Sequence, residues 1–220
     1  MTPLFDFPPG SAWAYSNTNY LLLGEIVELL SGQSYGDYLR ANVLGPAGMA
    51  DTMLDHYADV VPRRAAGYSL EGAAPGAFRN AAQSGLPMAE GGLRSTAADL
   101  LHWNAALFDG RIVTPSSLAA MTTPGRTSGG ALVGSARFVP AGAQPGAPPP
   151  FVQQSDYGFG LEISRMLDHR VIWHSGGITG FNAILMRWPD ADLDIALLSN
   201  TDNGLVAAFE PIVRAVAAAV

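Results

Sequence analysis

Two stretches, far apart in the chain, carry residue types that could take part in one reaction. Residues 15–17 read Tyr-Ser-Asn and lie directly before an apolar helical pattern. Residues 174–177 read His-Ser-Gly-Gly and lie at the end of an apolar strand pattern. Positioned phenols and imidazoles transfer protons, and glycines let a substrate oxygen approach the backbone closely. The N–H group of Gly177 is therefore a candidate oxyanion donor.

Each stretch also has a plain structural interpretation. Ser16 or Asn17 could serve only as a helix N-cap, and a single histidine is most often an ordinary surface or core residue. The surrounding sequence favours a functional role for both stretches. Residues 9–24 follow the pattern Pro-Gly-x-x-Trp-x-Tyr-Ser-Asn-x-x-Tyr-x-x-Leu-Gly, and residues 174–181 read His-Ser-Gly-Gly-Ile-Thr-Gly-Phe.

These patterns resemble the superfamily of serine β-lactamases, penicillin-binding proteins and related esterases. The class C-like β-lactamases, D-aminopeptidases and β-lactamase-like esterases are its most similar branches. In that superfamily three motifs meet at the active site, namely Ser-x-x-Lys, then Ser-x-Asn or Tyr-x-Asn, then Lys-Thr-Gly or His-x-Gly. The second and third motifs are present here. The resemblance covers residues 7 to about 200, including a segment at 88–96 that is similar to the family's Ala-Gly-Gly-Leu-x-Ser-Thr.

The resemblance implies a role for the residues of the two motifs. Tyr15 would be the general acid–base group that acts on the nucleophile and the leaving group, and Asn17 would orient the substrate. The N–H of Gly177 would share the oxyanion with the N–H of the nucleophilic serine. Ser175 and Gly176 would belong to the strand that the substrate contacts.

Lysine is absent, which bears on both motifs. All 12 basic residues are arginine, so no Ser-x-x-Lys motif and no candidate nucleophile exist in this chain. A phenol with a pKa of about 10 needs neighbouring cations to act as a base at neutral pH, and in the family a lysine supplies that charge. His174 stands where Lys-Thr-Gly members carry lysine. This replacement favours esters or D-amino-acid amides over recognition of a β-lactam carboxylate.

The sequence therefore predicts the C-terminal part of a serine hydrolase. Such an enzyme acts on small ester, amide or β-lactam substrates through an acyl-enzyme, and this chain alone is expected to be inactive because the nucleophilic serine and lysine are missing. A gene fragment, a misplaced start codon or an excerpt would each explain that absence. The alternative is a non-catalytic binding or regulatory protein that retains a β-lactamase-like pocket.

Composition excludes several other classes. The net charge of -7 does not fit binding to nucleic acid or to an anionic membrane, and the lack of cysteine excludes disulfides and thiolate metal sites. The acidic residues at 190–194 lack the glycine and glutamate of a calcium loop, and neither a metal nor a cofactor is expected. The first residues do not form a signal peptide, and the Ala-rich end is too short to span a bilayer. A soluble protein of undetermined compartment is expected.

The patterns and the resemblance together imply one α+β domain over residues 1–220, a truncated β-lactamase/DD-peptidase-like fold. Residues 1–123 are mainly helical, with N-cap signals at Ser34 and Thr96. Residues 124–153 are rich in Gly and Pro and are interpreted as a long loop. Residues 154–220 predict an antiparallel sheet of about four strands and a final helix. The strand patterns lie at 159–163, 171–173, 183–186 and 195–198.

The strand at 194–200 is expected to form an exposed sheet edge. In the family's fold its outer partner belongs to the N-terminal part, which this chain lacks. Because residues 195–198 are apolar and uncharged, they predict self-association through this edge. The final helix would also lose a neighbour, which predicts partial exposure of Phe209, Val213 and Val216.

Overall fold

The computed structural model describes residues 5–56, 58–70, 77–82, 88–134, 149–202 and 204–220. Helices dominate the first part of the chain, and one helix follows the last strand. The helices are α1 (Asn17–Ser31), α2 (Tyr35–Leu39), α3 (Gly45–Ala47), α4 (Ala97–Phe108), α5 (Pro115–Met121) and α6 (Val206–Ala217). A π-helical turn, Arg40–Leu44, joins α2 to α3. None of the helices in the described ranges is both long and apolar enough to cross a bilayer.

The strands of the described residues form one sheet and two short ribbons. The strands are β1 (Met53–Leu54), β2 (Tyr68–Leu70), β3 (Phe78–Asn80), β4 (Leu93–Arg94), β5 (Val152–Tyr157), β6 (Glu162–Met166), β7 (His169–Ile178), β8 (Phe181–Trp188) and β9 (Leu193–Ser199). Within the described ranges, β5 to β9 form an antiparallel sheet in sequence order, while β1 pairs with β4 and β2 with β3. The α+β class and the antiparallel meander are confirmed.

The sheet has one more strand than the sequence patterns indicated, since β5 begins inside the predicted 124–153 loop. β5 has no alternation of apolar residues that would predict a strand. Its buried residue Ser155 is polar, and hydrogen bonds satisfy its hydroxyl group. Ser164 donates to Ser155 over 3.0 Å, and the Trp173 indole donates to Ser164 over 2.9 Å. The pattern at 159–163 begins too early, because the Gly158 N–H donates to the Leu161 carbonyl oxygen over 2.8 Å and closes a turn. The chain turns there, and β6 starts only at Glu162.

The main core lies between α6 and one face of the sheet. Trp173 and Trp188 from the sheet are each 1% exposed. Phe209, Val213 and Val216 of α6 are all buried and pack in the same cluster. The expectation that these three residues would be partly exposed is therefore wrong. The apolar surface that they share with the sheet is large enough to cover them without a second helix alongside.

The opposite side of the sheet is joined to the helical region by polar contacts. Asn104 of α4 donates to the Asp194 carboxylate on β9 over 2.7 Å. Arg187 of β8 forms an ion pair with the same carboxylate at 2.6 Å. Thr96 caps α4 by accepting from the Asp99 N–H, as the sequence indicated. These contacts fix α4 against the end of the sheet and so hold the helical region in place.

Helix α1 is positioned by its cap and by one close approach. The Ser16 hydroxyl accepts from the Asn19 N–H and caps α1. Gly24 is buried in α1, and a Cβ there would lie 2.5 Å from the Cβ of Ala89. A glycine is therefore needed for α1 to pack against the segment around Ala89. The helix ends at Gly32, whose φ of 68° is the left-handed conformation that is common at a helix C-terminus.

Candidate active site

The structure brings the two sequence stretches together. The ring centroids of Tyr15 and His174 are 6.1 Å apart. Tyr157, at the end of β5, contacts both rings, with centroid distances of 6.3 Å to Tyr15 and 5.9 Å to His174. Trp13 packs against Tyr157 at 5.1 Å. Residues from the start of the chain and from two strands of the sheet thus form one aromatic cluster beside the N-terminus of α1.

Hydrogen bonds define the protonation state of His174. Its Nδ1 lies 2.6 Å from the carbonyl oxygen of Ser175, and its Nε2 lies 2.9 Å from the Tyr157 hydroxyl. A carbonyl oxygen can only accept, so Nδ1 carries a proton. Burial lowers the pKa of His174, and the bond to Ser175 opposes this shift in part. The imidazole is therefore neutral at neutral pH.

The phenols of the cluster are also held in their neutral form. Burial raises the pKa of Tyr15, and the nearby Tyr20 and Glu162 raise it further. Burial, followed by the same neighbours and Tyr15, raises the pKa of Tyr157 above its usual value. A positive charge would act in the opposite direction. Around Tyr15 the environment therefore favours the protonated phenol and opposes the phenolate that a general base requires.

Glu162 is the acidic group of this cluster. It opens β6 and pairs with Tyr157 across β5 and with Trp173 across β7. Burial raises the pKa of its carboxyl group, and the Ser155 hydroxyl, which donates to it, opposes the shift in part. The carboxyl group consequently retains a proton to a higher pH than an exposed glutamate.

The C-terminal part of β7 extends beyond the end of its pairing with β6. The pairing of β7 with β6 ends at Trp173, and residues 174–178 have β8 as their only strand partner in the described ranges. The two-residue turn makes Ile178 and Phe181 a hydrogen-bonded pair, and such pairs alternate with non-bonded pairs along an antiparallel ladder. Gly177 therefore falls in a non-bonded pair. Its N–H and C=O point away from β8, toward the open side of β7.

The other predicted site residues occupy different surroundings. Asn17 is the first residue of α1 and is exposed. Ser175 has its backbone on the open side of β7, but strand alternation turns its side chain to the face opposite His174. On that face Ser175 and Gly176 border a cavity of about 170 Å³ between the sheet and α6, which Phe209 and Glu210 also line.

Sequence reasoning missed Tyr157 and Glu162. Residues 157–160 read Tyr-Gly-Phe-Gly, and the alternation from Phe159 onward suggested only a strand. A tyrosine directly before two closely spaced glycines was the available signal, since it marks a strand end at a tight turn. In the described parts of the chain no three His, Asp or Glu side chains gather closely enough to hold a metal ion.

Comparison with known proteins identifies the family. The model of the Beta-lactamase family matches residues 2–219, so the chain belongs to the β-lactamase family. It is 27% identical over 210 residues to penicillin-binding protein 4* of Bacillus subtilis (strain 168), with 90% of this chain and 42% of that protein covered. It is 24% identical over 199 residues to the D-aminopeptidase of Gluconobacter oxydans (strain 621H), with 90% of this chain and 33% of that protein covered.

A solved structure shows the same fold. The crystal structure of a penicillin-binding protein from Bacillus halodurans superposes with a TM-score of 0.75 and 22% sequence identity, and covers 96% of this chain and 59% of that chain. At this identity the likeness concerns the fold. The chain spans about two fifths and one third of the two curated relatives. The predicted resemblance to the β-lactamase and penicillin-binding protein superfamily is confirmed.

Proposed function

We propose that this chain supplies the Tyr-x-Asn and His-x-Gly motifs of a serine hydrolase that works through an acyl-enzyme. The observation that supports the proposal most directly is the convergence of Tyr15 with His174 beside the open edge of β7. Membership of the β-lactamase family agrees with it. The nucleophilic serine and its lysine would come from residues outside these 220.

In this proposal each group has a defined task. The N–H of Gly177 points to the open side of β7, where it can donate to the oxyanion of an acyl intermediate. Tyr15 exchanges a proton with the nucleophile and the leaving group. Asn17, at the first turn of α1, orients the substrate through its amide. The raised pKa of Tyr15 means that it can serve as a base only when a cation is brought next to it.

The neutral state of His174 bears on the substrate. A neutral imidazole offers no charge to a substrate carboxylate, in contrast to the lysine of a Lys-Thr-Gly motif. We therefore favour uncharged acyl groups, as in esters and amides, over β-lactams that carry a carboxylate. One similar protein is a D-aminopeptidase, which agrees with an amide substrate.

A non-catalytic binding or regulatory role is the second candidate. The absence of lysine from the 220 residues and the raised pKa of Tyr15 both favour it. The pocket would then bind a ligand without forming a covalent bond to it.

One measurement checks an expectation that both functions share, and a second distinguishes them. The purified 220-residue chain, incubated with a fluorophosphonate or a penicillin, should show no added mass on any serine, because a removed member of a catalytic unit typically costs about 10⁶-fold in rate. The reading frame upstream of the Met1 codon should then be sequenced and expressed with the chain. An in-frame Ser-x-x-Lys that becomes acylated supports the hydrolase. A frame without that motif supports the binding protein.

In an acylating form, Tyr15→Phe should lower kcat by roughly 10²- to 10⁴-fold, which is the usual contribution of general acid–base catalysis. Tyr38→Phe, on α2, is the matched control and should leave kcat unchanged. An unaltered kcat in Tyr15→Phe would show that the assigned role of Tyr15 is wrong.

We also propose that the chain associates with a second copy through β9. Within the described ranges β9 has β8 as its only partner in the sheet, while the residues that follow it, 200–202, bond to Tyr68. Leu198 on this edge is 43% exposed, and residues 195–198 contain no charge. An uncharged apolar edge lacks the features that normally prevent pairing with another strand.

A further inference from the structure

Tyr157 makes a direct contact with the imidazole of the His-x-Gly motif. Its hydroxyl lies 2.9 Å from His174 Nε2, and its side chain is only 6% exposed. The Tyr157 ring packs against Trp13, with ring centroids 5.1 Å apart, and against Tyr15, with centroids 6.3 Å apart. Gly158, which follows it, can carry no Cβ because the Met121 carbonyl oxygen is too close. The Tyr157 hydroxyl is thus fixed in position by its packing and by its backbone.

The second contact of the imidazole determines the direction of this hydrogen bond. With Nδ1 2.6 Å from the Ser175 carbonyl oxygen, the Nε2-protonated tautomer would place two lone pairs against each other. The Nδ1-protonated tautomer donates there and leaves Nε2 as an acceptor. A phenol hydroxyl at 2.9 Å fits this acceptor as a donor.

We propose that Tyr157 is a positioning residue, which donates to His174 Nε2 and thereby holds His174 in one ring orientation as the neutral, Nδ1-protonated tautomer. Its importance for catalysis rests on the proposed function, while the hydrogen bond itself does not. Both ring nitrogens are then bound within the protein. His174 offers no N–H group to a substrate and acts through its shape.

The groups around His174 agree with this assignment. Tyr15 faces it from the segment before α1, Tyr157 faces it from β5, and Glu162 lies beside Tyr157 at the start of β6. Tyr15, Tyr157 and Glu162 all have pKa values raised by burial. Burial also lowers the pKa of His174 itself, so the surroundings favour the neutral imidazole that this tautomer requires.

The test is nitrogen-15 NMR of the histidine rings in the 220-residue chain at neutral pH. The chain has 4 histidines, and the spectrum of His174→Gln identifies the signals of His174. We expect a protonated Nδ1 and an unprotonated Nε2. In Tyr157→Phe we expect a shift of the Nε2 signal and a ratio of the two tautomers that falls about fivefold, since one neutral hydrogen bond shifts such an equilibrium by about that factor. Tyr38→Phe is the matched control and should change neither.

Several results would overturn the assignment. If His174 of the unsubstituted chain carries a proton on Nε2 at neutral pH, alone or together with one on Nδ1, the assignment is wrong. Unchanged nitrogen shifts in a folded Tyr157→Phe, judged by its amide spectrum, would also contradict it. None of these measurements requires acyl transfer. A failure of the longer reading frame to become acylated would therefore refute the proposed function and leave this assignment standing.

Discussion

Self-association through β9 can be tested sharply, because the backbone groups that point outward can be altered separately from those that bond to β8. The hydrogen-bonded pairs between β7 and β8 include Ile178 with Phe181, and the alternation continues into β9. Ile195 and Leu197 therefore bond to β8, while the N–H groups of Ala196 and Leu198 point outward. Ala196→Pro removes an outward N–H and leaves the β8–β9 ladder intact, which is the arrangement in which edge strands tolerate proline.

The expected effect follows from the geometry of a two-fold pairing. Two antiparallel copies of β9 centred on Ala196 would exchange about six backbone hydrogen bonds through residues 194, 196 and 198. At about 1 kcal/mol each these bonds contribute about 6 kcal/mol, against an association cost of about 4 kcal/mol or more. Apolar contact around Leu198 adds to this contribution. We therefore expect a weak dimer, with a Kd of roughly 1 to 30 mM.

Ala196→Pro removes the two bonds at the centre, worth about 2 kcal/mol, so Kd should rise by about 30-fold. Ala196→Val retains the N–H and should associate like the parent chain. Sedimentation velocity over a range of concentrations measures Kd. Hydrogen exchange adds an internal control, because Ala196 and Leu198 should gain protection with concentration while Ile195 and Leu197 stay protected throughout. A parent chain that remains monomeric at every concentration, or an Ala196→Pro variant that associates equally well, contradicts the proposed edge.

Two further predictions concern stability. Val213→Ala on α6 removes a fully buried side chain and should lower the free energy of unfolding by about 2–3 kcal/mol. Val206, on the same helix, is 48% exposed, so Val206→Ala should change the free energy of unfolding by less than about 0.5 kcal/mol. Equal effects of the two substitutions in urea unfolding would show that α6 does not pack on the sheet. Burial raises the pKa of Glu162, so the folded chain binds a proton that the unfolded chain releases, and stability should fall as pH rises from the ordinary carboxyl pKa through the raised folded value. Glu162→Gln should flatten that decline in thermal unfolding measured across this pH window, and an unchanged slope would show that Glu162 is not buried as described.

Local signals in the sequence predicted where two of the helices begin. Ser34 and Thr96, the two predicted N-caps, each cap a helix with a side-chain hydrogen bond. These features depend on residues within one or two turns of each other, so they can be read from spacing. β5 could not be found in this way, because its burial depends on hydrogen bonds to β6 and β7.

The candidate site shows the same division between local and distant causes. The motif residues Tyr15 and His174 were identified from sequence, and the structure places them together. Their electrostatic state could not be predicted, because it depends mainly on how deeply each ring is buried, which only the assembled fold determines. The buried Phe209 was misjudged for a similar reason, since the amount of sheet surface available to α6 is a property of the whole fold.

The neutrality of the cluster determines what a complete site would need. A neutral His174 and a protonated Tyr15 are each stable as they stand, because burial disfavours charge on both rings. A serine brought into this pocket would find no phenolate on Tyr15 to take its proton. A cation placed next to Tyr15 would reverse the balance by stabilising the phenolate. Under the proposed function, the residues outside this chain must therefore bring a positive charge as well as a nucleophile, and a serine supplied without that charge should remain unreactive.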